Sequence, residues 1–194
     1  EEDLRVLLTP MASSGYEPLG SMGTDTPIAV LSKRSRLLYD YFVELFAQVT
    51  NPPLDAIREE IVTSMARVMG PEQNTLEPSA ASCRQIMLHG PVLDKVGLAK
   101  IVHINDDGEH PGLATTVLSG LYEVDRGGEG LAAALEDLRT RASEAIAQGY
   151  RTLVISDRHT DREHAPIPSL LATAAVHHHL VRTKERTKVA LVVE

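Results

Sequence analysis

The sequence predicts an α/β fold, in which helices alternate with the strands of a parallel sheet. Three segments indicate it: a strand-like apolar run at 152–156, a helical segment at 167–181 and a second apolar strand at 188–194. With an amphipathic helix before them, they read helix, strand, helix, strand over 131–194, which is the order of crossover connections between parallel strands. The residues before 131 are expected to be richer in loops.

The N-terminal part is predicted to be helical and loop-rich. A short helix over 3–11 is expected to close near Pro10, and glycines and prolines break regular structure over 12–35. From Arg36 to Val49, apolar residues recur at spacings of three and four, which indicates an amphipathic helix. The sequence Asn-Pro-Pro at 51–53 ends that helix because proline lacks the N–H that a helical hydrogen bond needs.

A second helix is expected to begin near Asp55, whose carboxylate favours a helix N-terminus, and to end at Gly70. Its apolar face comprises Ile57, Ile61, Val62, Met65 and Met69. Prolines fragment residues 71–98, and a short strand is predicted at 100–104, before a turn at 105–108.

The central part of the chain carries two further signals. Residues 115–124 have the composition of a strand. Apolar residues at helical spacing over 131–146 indicate an amphipathic helix, with Gly149 just past its end. These two elements precede the first of the strands predicted above.

Composition and charge exclude several functional classes. The chain has 19 lysines and arginines against 27 aspartates and glutamates, a net charge of −8, and aromatic residues make up 4% of it. Non-specific nucleic-acid binding requires excess positive charge, and stacking on single strands requires aromatic platforms. No apolar run approaches the length of a membrane span. We therefore expect a soluble, cytoplasmic protein that binds neither nucleic acid nor membrane.

Two histidine- and carboxylate-rich segments are candidate sites. Successive helical residues are rotated by about 100°, so His177, His178 and His179 diverge and do not chelate one ion. A helix with one buried and two more exposed histidines is the simpler interpretation. The segment 157–164 follows a strand end, where α/β folds place active loops, but its alternating polar residues also describe a solvated loop. Neither segment fixes a nucleophile, a base and an oxyanion site together.

A glycine-rich turn offers an alternative function. Gly128, Gly130 and Ala133 fit the dinucleotide fingerprint G-x-G-x-x-G/A before a predicted helix, where a pyrophosphate would approach the backbone. Asp125 and Glu129 place negative charge where the phosphates would lie. A glycine turn leading into an alanine-rich helix explains the same residues, and a stand-alone nucleotide-binding α/β domain stays the alternative.

The single cysteine and the missing motifs narrow the chemistry further. Because Cys83 is the single cysteine, these residues hold neither a disulfide framework nor a multi-cysteine metal site. The phosphate-binding motif G-x-x-x-x-G-K-[ST] and the nucleophile-elbow motif G-x-S-x-G do not occur in the sequence. We therefore predict no catalytic, cofactor-binding or metal-ligating residue in the chain.

Two unusual loops remain, at 20–27 and 50–53. Glycines allow tight backbone paths in the first, and prolines fix the second. Their uncharged donors and acceptors suit a small neutral guest better than an ion, and packing of one loop on another explains the same residues equally well.

These loops carry a family resemblance. Residues 20–32 and 46–53 closely resemble the central domain of the glutamate synthase large subunit. The similarity also covers 57–60, 156–157, 167–172, 175–182 and 191–194. The similarity is loose over 72–148. Two residues depart from the pattern of the family: Thr24 stands where Asn or Asp is more usual, and Ala56 stands where Pro is common.

The resemblance implies a role within a larger enzyme. In that family an amidotransferase domain releases ammonia from glutamine, and a barrel domain with FMN and a 3Fe-4S cluster adds it to 2-oxoglutarate to form glutamate. The central domain links the two and lines an ammonia tunnel, whose residues carry over onto Met22, Thr50 and Asn51.

The resemblance further implies a partial parallel β/α barrel-like (TIM-type) fold in one domain over 1–194. The loops and two helices of the tunnel motifs would lie within 1–70 and the β/α units within 99–194. The chain would be a piece of a longer one, with the amidotransferase and FMN domains as its partners and no cofactor of its own. The electron donor, an NADPH-oxidising small subunit or ferredoxin, stays open.

Overall fold

The computed structural model describes residues 4–16, 33, 36, 38–42, 49, 52–74 and 76–194. It divides the chain into two compact units, Glu1–Val43 and Glu44–Glu194, which are described separately. The described elements are mixed α and β and include a parallel sheet, which confirms the predicted α/β class. Within these residues, no helix is both long and apolar enough to cross a membrane.

The first unit begins with a helical segment. A π-helical stretch, Leu4–Leu8, leads into helix α1, Thr9–Ser14. Pro10 lies in the first turn of α1, where its missing N–H costs no helical hydrogen bond. The expectation that the helix closes near Pro10 is therefore wrong. It ends instead at Gly15, whose positive φ of 72° is easy for glycine.

Two predicted elements lie largely outside the described residues. Of the helix predicted from Arg36 to Val49, the structure shows a short 3₁₀ helix at Leu38–Tyr41. Most of the predicted loop region 12–35 is likewise not described. Both stay predictions.

The second unit begins with helix α2, Ala56–Val62. The Asp55 carboxylate accepts hydrogen bonds from two backbone N–H groups of the first turn, at 3.1 and 2.9 Å, which confirms the predicted start. The predicted end at Gly70 is wrong, because the helix stops at Val62. There the Thr63 hydroxyl donates a hydrogen bond of 2.6 Å to a backbone carbonyl of the last turn.

A small hairpin follows α2. Strand β1, Arg67–Met69, pairs antiparallel with strand β2, Ile86–Leu88. Met69 was expected on a helix face but is buried in β1. Strand pairing with a segment far along the chain decides this structure, and the local spacing of apolar residues does not record such a partner.

Helix α3, Lys95–Val102, replaces the strand predicted at 100–104. The Asp94 carboxylate accepts a backbone N–H of the first turn at 2.6 Å and so caps the helix. A capped run of eight residues outweighs the strand-like composition of its last few. The predicted turn at 105–108 is confirmed, since a backbone hydrogen bond of 3.0 Å joins its first and last residues.

The remaining chain forms a parallel sheet with two crossover helices and a small antiparallel pair. The elements are β3 (Thr115–Ser119), β4 (Leu121–Glu123), α4 (Gly127–Ala147), β5 (Thr152–Ser156), β6 (His164–Pro166), α5 (Ser169–Arg182) and β7 (Ala190–Val193). The parallel sheet has the order β3-β5-β7, and β4 pairs with β6. The predicted order helix, strand, helix, strand over 131–194 is confirmed.

The strand-like segment 115–124 is divided at Gly120. The Gly120 N–H donates to Ser156 O at 2.8 Å, and its own carbonyl accepts the Ile167 N–H at 2.8 Å. A Cβ at Gly120 would lie 3.3 Å from the Ile155 side chain. This close approach turns the chain from the parallel sheet into the antiparallel pair.

Helices α4 and α5 cover one face of the parallel sheet. Leu138 of α4 and Leu180 of α5 are fully buried in one core with Leu153 of β5. The hairpin and α3 cover part of the other face, where Met69 and Ile101 pack with β7 in a second core. Strand β5 lies between the two cores, and all five of its residues are buried.

We predict that Thr152→Val stabilises the chain. The Thr152 hydroxyl is buried and has no hydrogen-bond partner among the described residues. Removing it while keeping the shape should raise the free energy of unfolding by about 1 kcal/mol. Urea unfolding measures the change, with exposed Thr140→Val as the matched control. A loss of stability in Thr152→Val alone would show that the hydroxyl is satisfied.

Candidate functional site

A row of polar residues lies at the carboxyl edge of the parallel sheet, on the face opposite α4 and α5. Val117 of β3, Val154 of β5 and Val192 of β7 are in register on this face. Two residues further along each strand, where the side chains face the same way, stand Ser119, Ser156 and Glu194. An apolar row is thus followed by a polar row where the strands end.

Hydrogen bonds organise the polar row. The Ser156 hydroxyl donates to Glu194 Oε2 at 2.6 Å, and Arg158 pairs through Nε with Oε1 of the same carboxylate. The Arg158 backbone N–H donates to Ser156 Oγ at 3.2 Å. Glu194, the residue that follows β7, is thus joined through its carboxylate to the end of β5 and to Arg158.

The environment of Glu194 favours its charged form. The hydrogen bond from Ser156 is the largest influence and lowers the pKa of Glu194 below its ordinary value. Burial acts against this, while the hydrogen bond and charge of Arg158 and, least of all, the electrostatic influence of His159 add to the lowering of this pKa. Glu194 therefore holds a negative charge that Arg158 offsets.

A cleft of about 470 Å³ opens between α3 and this edge of the sheet. Its floor is apolar and includes Leu98, Val102 and Val117, and its rim carries Lys95 and Arg158. This volume lies in the range of small-molecule sites, which combine an apolar lining with a few polar groups. The sequence-based expectations missed this cleft, because residues 100–104 were assigned to a strand instead of α3. Serines at the ends of two parallel strands were the available signal.

The loop after β5 is a candidate catalytic segment. In the structure His159 lines the cleft, whereas Asp161 forms hydrogen bonds within the loop. His159 lines the cleft and has a positive φ of 69°, a conformation that costs a residue with a side chain about 1 kcal/mol. Asp161 Oδ1 lies 3.0 Å from His164 Nδ1 and accepts two backbone N–H groups. These hydrogen bonds lower the pKa of Asp161, and the one from the backbone N–H of Glu163 contributes most. These bonds account for Asp161 as a loop-forming residue.

The glycine turn before α4 has a packing explanation. Gly127 has a positive φ of 52°. A Cβ at Gly130 would lie 2.8 Å from Glu123 O, whereas one at Gly128 would meet nothing within 4 Å. Gly130 is thus required because α4 passes closely over the end of β4. No phosphate is needed to explain this glycine.

The three histidines of α5 have separate surroundings. His178 is exposed, while His177 and His179 are half-buried, so the expectation of one buried and two more exposed histidines is wrong. Arg186 Nε donates to His177 Nδ1 at 3.0 Å. His179 Nε2 lies 2.8 Å from Ser143 Oγ on α4. Each half-buried ring ties α5 to a different part of the fold. Among the described residues, no cluster of histidine, cysteine or acidic groups could hold a metal ion.

The expected tunnel residues Met22, Thr50 and Asn51 lie outside the described residues. Val49 and the residues from Pro52 onward, on either side of Thr50 and Asn51, are described.

The fold and the cleft define an α/β domain with its polar groups gathered where parallel strands end, the usual place for ligands in such sheets. The comparison with known families is specific: residues 1–194 match the family described as glutamate synthase central domain. The chain belongs to this family.

Relatives named for three different electron donors match the whole chain. The NADPH glutamate synthase large chain of Bacillus subtilis is 44% identical over 193 residues. The NADH glutamate synthase of Schizosaccharomyces pombe is 42% identical over 193, and the ferredoxin-dependent glutamate synthase 2 of Synechocystis is 44% identical over 197. Each match covers 100% of this chain but only 12%, 9% and 12% of the respective relative. The chain thus spans about a tenth of the length of these relatives.

Gly130→Ala tests the packing explanation of the glycine turn. The new Cβ would collide with a backbone carbonyl, so we expect a loss of about 2 kcal/mol in the free energy of unfolding. Gly128→Ala, in open space on the same helix, should instead gain about 0.5–1 kcal/mol. Urea unfolding compares the two, and equal effects would contradict the explanation.

A pH titration tests the environment of His177. Burial, aided by Arg186 and His178, lowers the pKa of His177 below its ordinary 6.5. The unfolded chain therefore takes up a proton at a higher pH than the folded chain does. The free energy of unfolding should fall as pH drops below about 6.5, and His177→Gln should flatten this fall. An unchanged slope in that variant would refute the assignment, and exposed His178→Gln is the control.

Proposed function

We propose that the chain acts as the central domain of a glutamate synthase, connecting the amidotransferase domain to the FMN synthase domain. The parent would form glutamate from glutamine and 2-oxoglutarate, as an oxidoreductase of the cytoplasm. The observation that carries the proposal is the family match over residues 1–194, supported by the relatives reported above, which are named glutamate synthases. In this role the chain positions other domains and guides an intermediate.

Its role is independent of the electron donor. Relatives named for NADPH, NADH and ferredoxin all match the whole of this chain, and those for ferredoxin range from 35% to 44% identity. Donor selection therefore belongs to other parts of the parent, such as an NADPH-oxidising small subunit or a ferredoxin surface. The chain itself supplies a function that all three kinds of enzyme need.

The residues of this chain do not fit the cofactors of the parent. A 3Fe-4S cluster is held by several thiolates, and Cys83 is the single cysteine of the sequence. Among the described residues, the glycine turn before α4 is the candidate phosphate cradle, and Glu123 O lies close beside its Gly130. FMN and the cluster would thus be held by other domains of the parent, and no step of the reaction is assigned to this chain.

The particular contribution of this domain would be a wall of the ammonia tunnel at Met22, Thr50 and Asn51. Ammonia must stay neutral and away from bulk water to reach the second active site. A thioether, a hydroxyl and an amide provide weak, uncharged contacts, whereas a carboxylate would favour ammonium. The sequence places these groups in loops whose glycines and prolines restrict the backbone path.

We further propose that the parallel sheet is one part of a TIM-type barrel within a single domain over 1–194. The three parallel strands stand in the sheet in the same order as in the chain, β3, β5 and β7. Helices α4 and α5 cover the same face of this sheet. Barrels of parallel strands have both properties. In this arrangement residues 99–194 supply β/α units, and residues 1–70 supply the tunnel loops.

Thr50→Val and Asn51→Ala test the tunnel in the complete enzyme. Each removes a polar group from the proposed wall, so ammonia should escape before it reacts. We expect glutamine hydrolysis to exceed glutamate formation by about threefold or more. The measurement is the ratio of the two products at saturating substrates.

Matched controls separate the tunnel from general destabilisation. Thr140→Val and Asn74→Ala make the same chemical changes at exposed positions of α4 and of the loop after β1. Both should keep the one-to-one ratio. Tight coupling in both Thr50→Val and Asn51→Ala would refute their tunnel role, and tight mononucleotide binding by the 194-residue chain would favour the alternative function.

A further inference from the structure

The cleft between α3 and the carboxyl edge of the sheet has no place in the tunnel proposal. Its floor is built by Leu98 and Val102 of α3 and by Val117 of β3. Val117 is 47% exposed although it lies in the middle of a sheet strand. The neighbouring Val154, in register with it, is fully buried. The apolar floor is therefore open at the β3 side, where the cleft lies.

The charged groups around the cleft favour an anion. Lys95 and Arg158 line it, and Glu194 is its one acidic residue. Arg158 uses Nε to pair with Glu194, and the N–H donors on its two Nη atoms have no partner among the described residues. The two positive charges of Lys95 and Arg158 exceed the one negative charge of Glu194, so the rim has a net charge of +1 from these groups. The planar Nη edge of Arg158 is left as a hydrogen-bond donor at the mouth of the cleft.

We propose that this cleft binds a small organic carboxylate, with the carboxylate on the Nη edge of Arg158 and an apolar body on the floor. A guanidinium edge matches the two oxygens of a carboxylate, and Lys95 adds charge at the same rim. Ser156 holds Glu194 so that the Arg158 side chain is fixed before the ligand arrives. The proposal does not depend on the tunnel or on the ammonia chemistry.

Phosphate is a poorer fit to the same rim. Phosphate sites commonly use the free N–H groups of a helix N-terminus. The nearest N-terminus is that of α3, where the Asp94 carboxylate already accepts the Gly97 N–H at 2.6 Å. A negative cap at this position repels a dianion, and the apolar floor offers a phosphate no contact. A monocarboxylate with a short alkyl chain satisfies both parts of the cleft.

Binding of butyrate to the complete enzyme tests the proposal. Titration of ¹³C-butyrate followed by NMR should give saturable binding with a dissociation constant in the millimolar range. Inorganic phosphate and butylammonium, each titrated alone, should bind at least about tenfold more weakly. Equal binding of phosphate, or absence of saturable butyrate binding, would overturn the assignment of ligand class.

Substitutions locate the site. Arg158→Gln should weaken butyrate binding about tenfold, and Lys95→Gln should weaken it several-fold while leaving the Glu194 contact intact. Arg162→Gln changes an exposed arginine of the same loop that does not line the cleft, and it should bind as the unsubstituted protein does. Normal binding in both Arg158→Gln and Lys95→Gln, or an equal loss in Arg162→Gln, would refute the site.

Discussion

The burial of strand β5 is the constraint on which the rest of the second unit depends. Its five residues are buried between two cores, and it provides hydrogen bonds to a parallel neighbour on each side. Such a strand is stable only if the crossovers before and after it bring β3 and β7 into register, which α4 and α5 do. Fixing this register also fixes which side chains share the end of the sheet.

The functional features follow from that register. Ser119, Ser156 and Glu194 form one row because they stand at equal offsets along three aligned strands. The loop after β5 then carries Arg158 to the same edge, where its charge offsets that of Glu194. The cleft exists because α3 covers the far side of the sheet incompletely. Rigid elements thus hold the polar groups, as a binding site requires.

The sequence predicted the parts of this fold that depend on local pattern. The helix at 131–146 and the strand at 152–156 have strong periodicity or a continuous apolar run, and both are confirmed. Strand β1 depends on pairing with β2, and α3 depends on the cap at Asp94, so the spacing of apolar residues misassigned both. The cleft could not be predicted, because it depends on how α3 packs.

We propose that this domain conducts ammonia between two active sites, and isotope competition tests this proposal most directly. The complete enzyme is supplied with glutamine labelled with ¹⁵N at the amide, 2-oxoglutarate, its electron donor and excess unlabelled ammonium. If the tunnel is closed to solvent, the amino group of the new glutamate keeps the full ¹⁵N content in the unsubstituted enzyme and is diluted in Asn51→Ala. Dilution in the unsubstituted enzyme, or none in Asn51→Ala, would contradict the account.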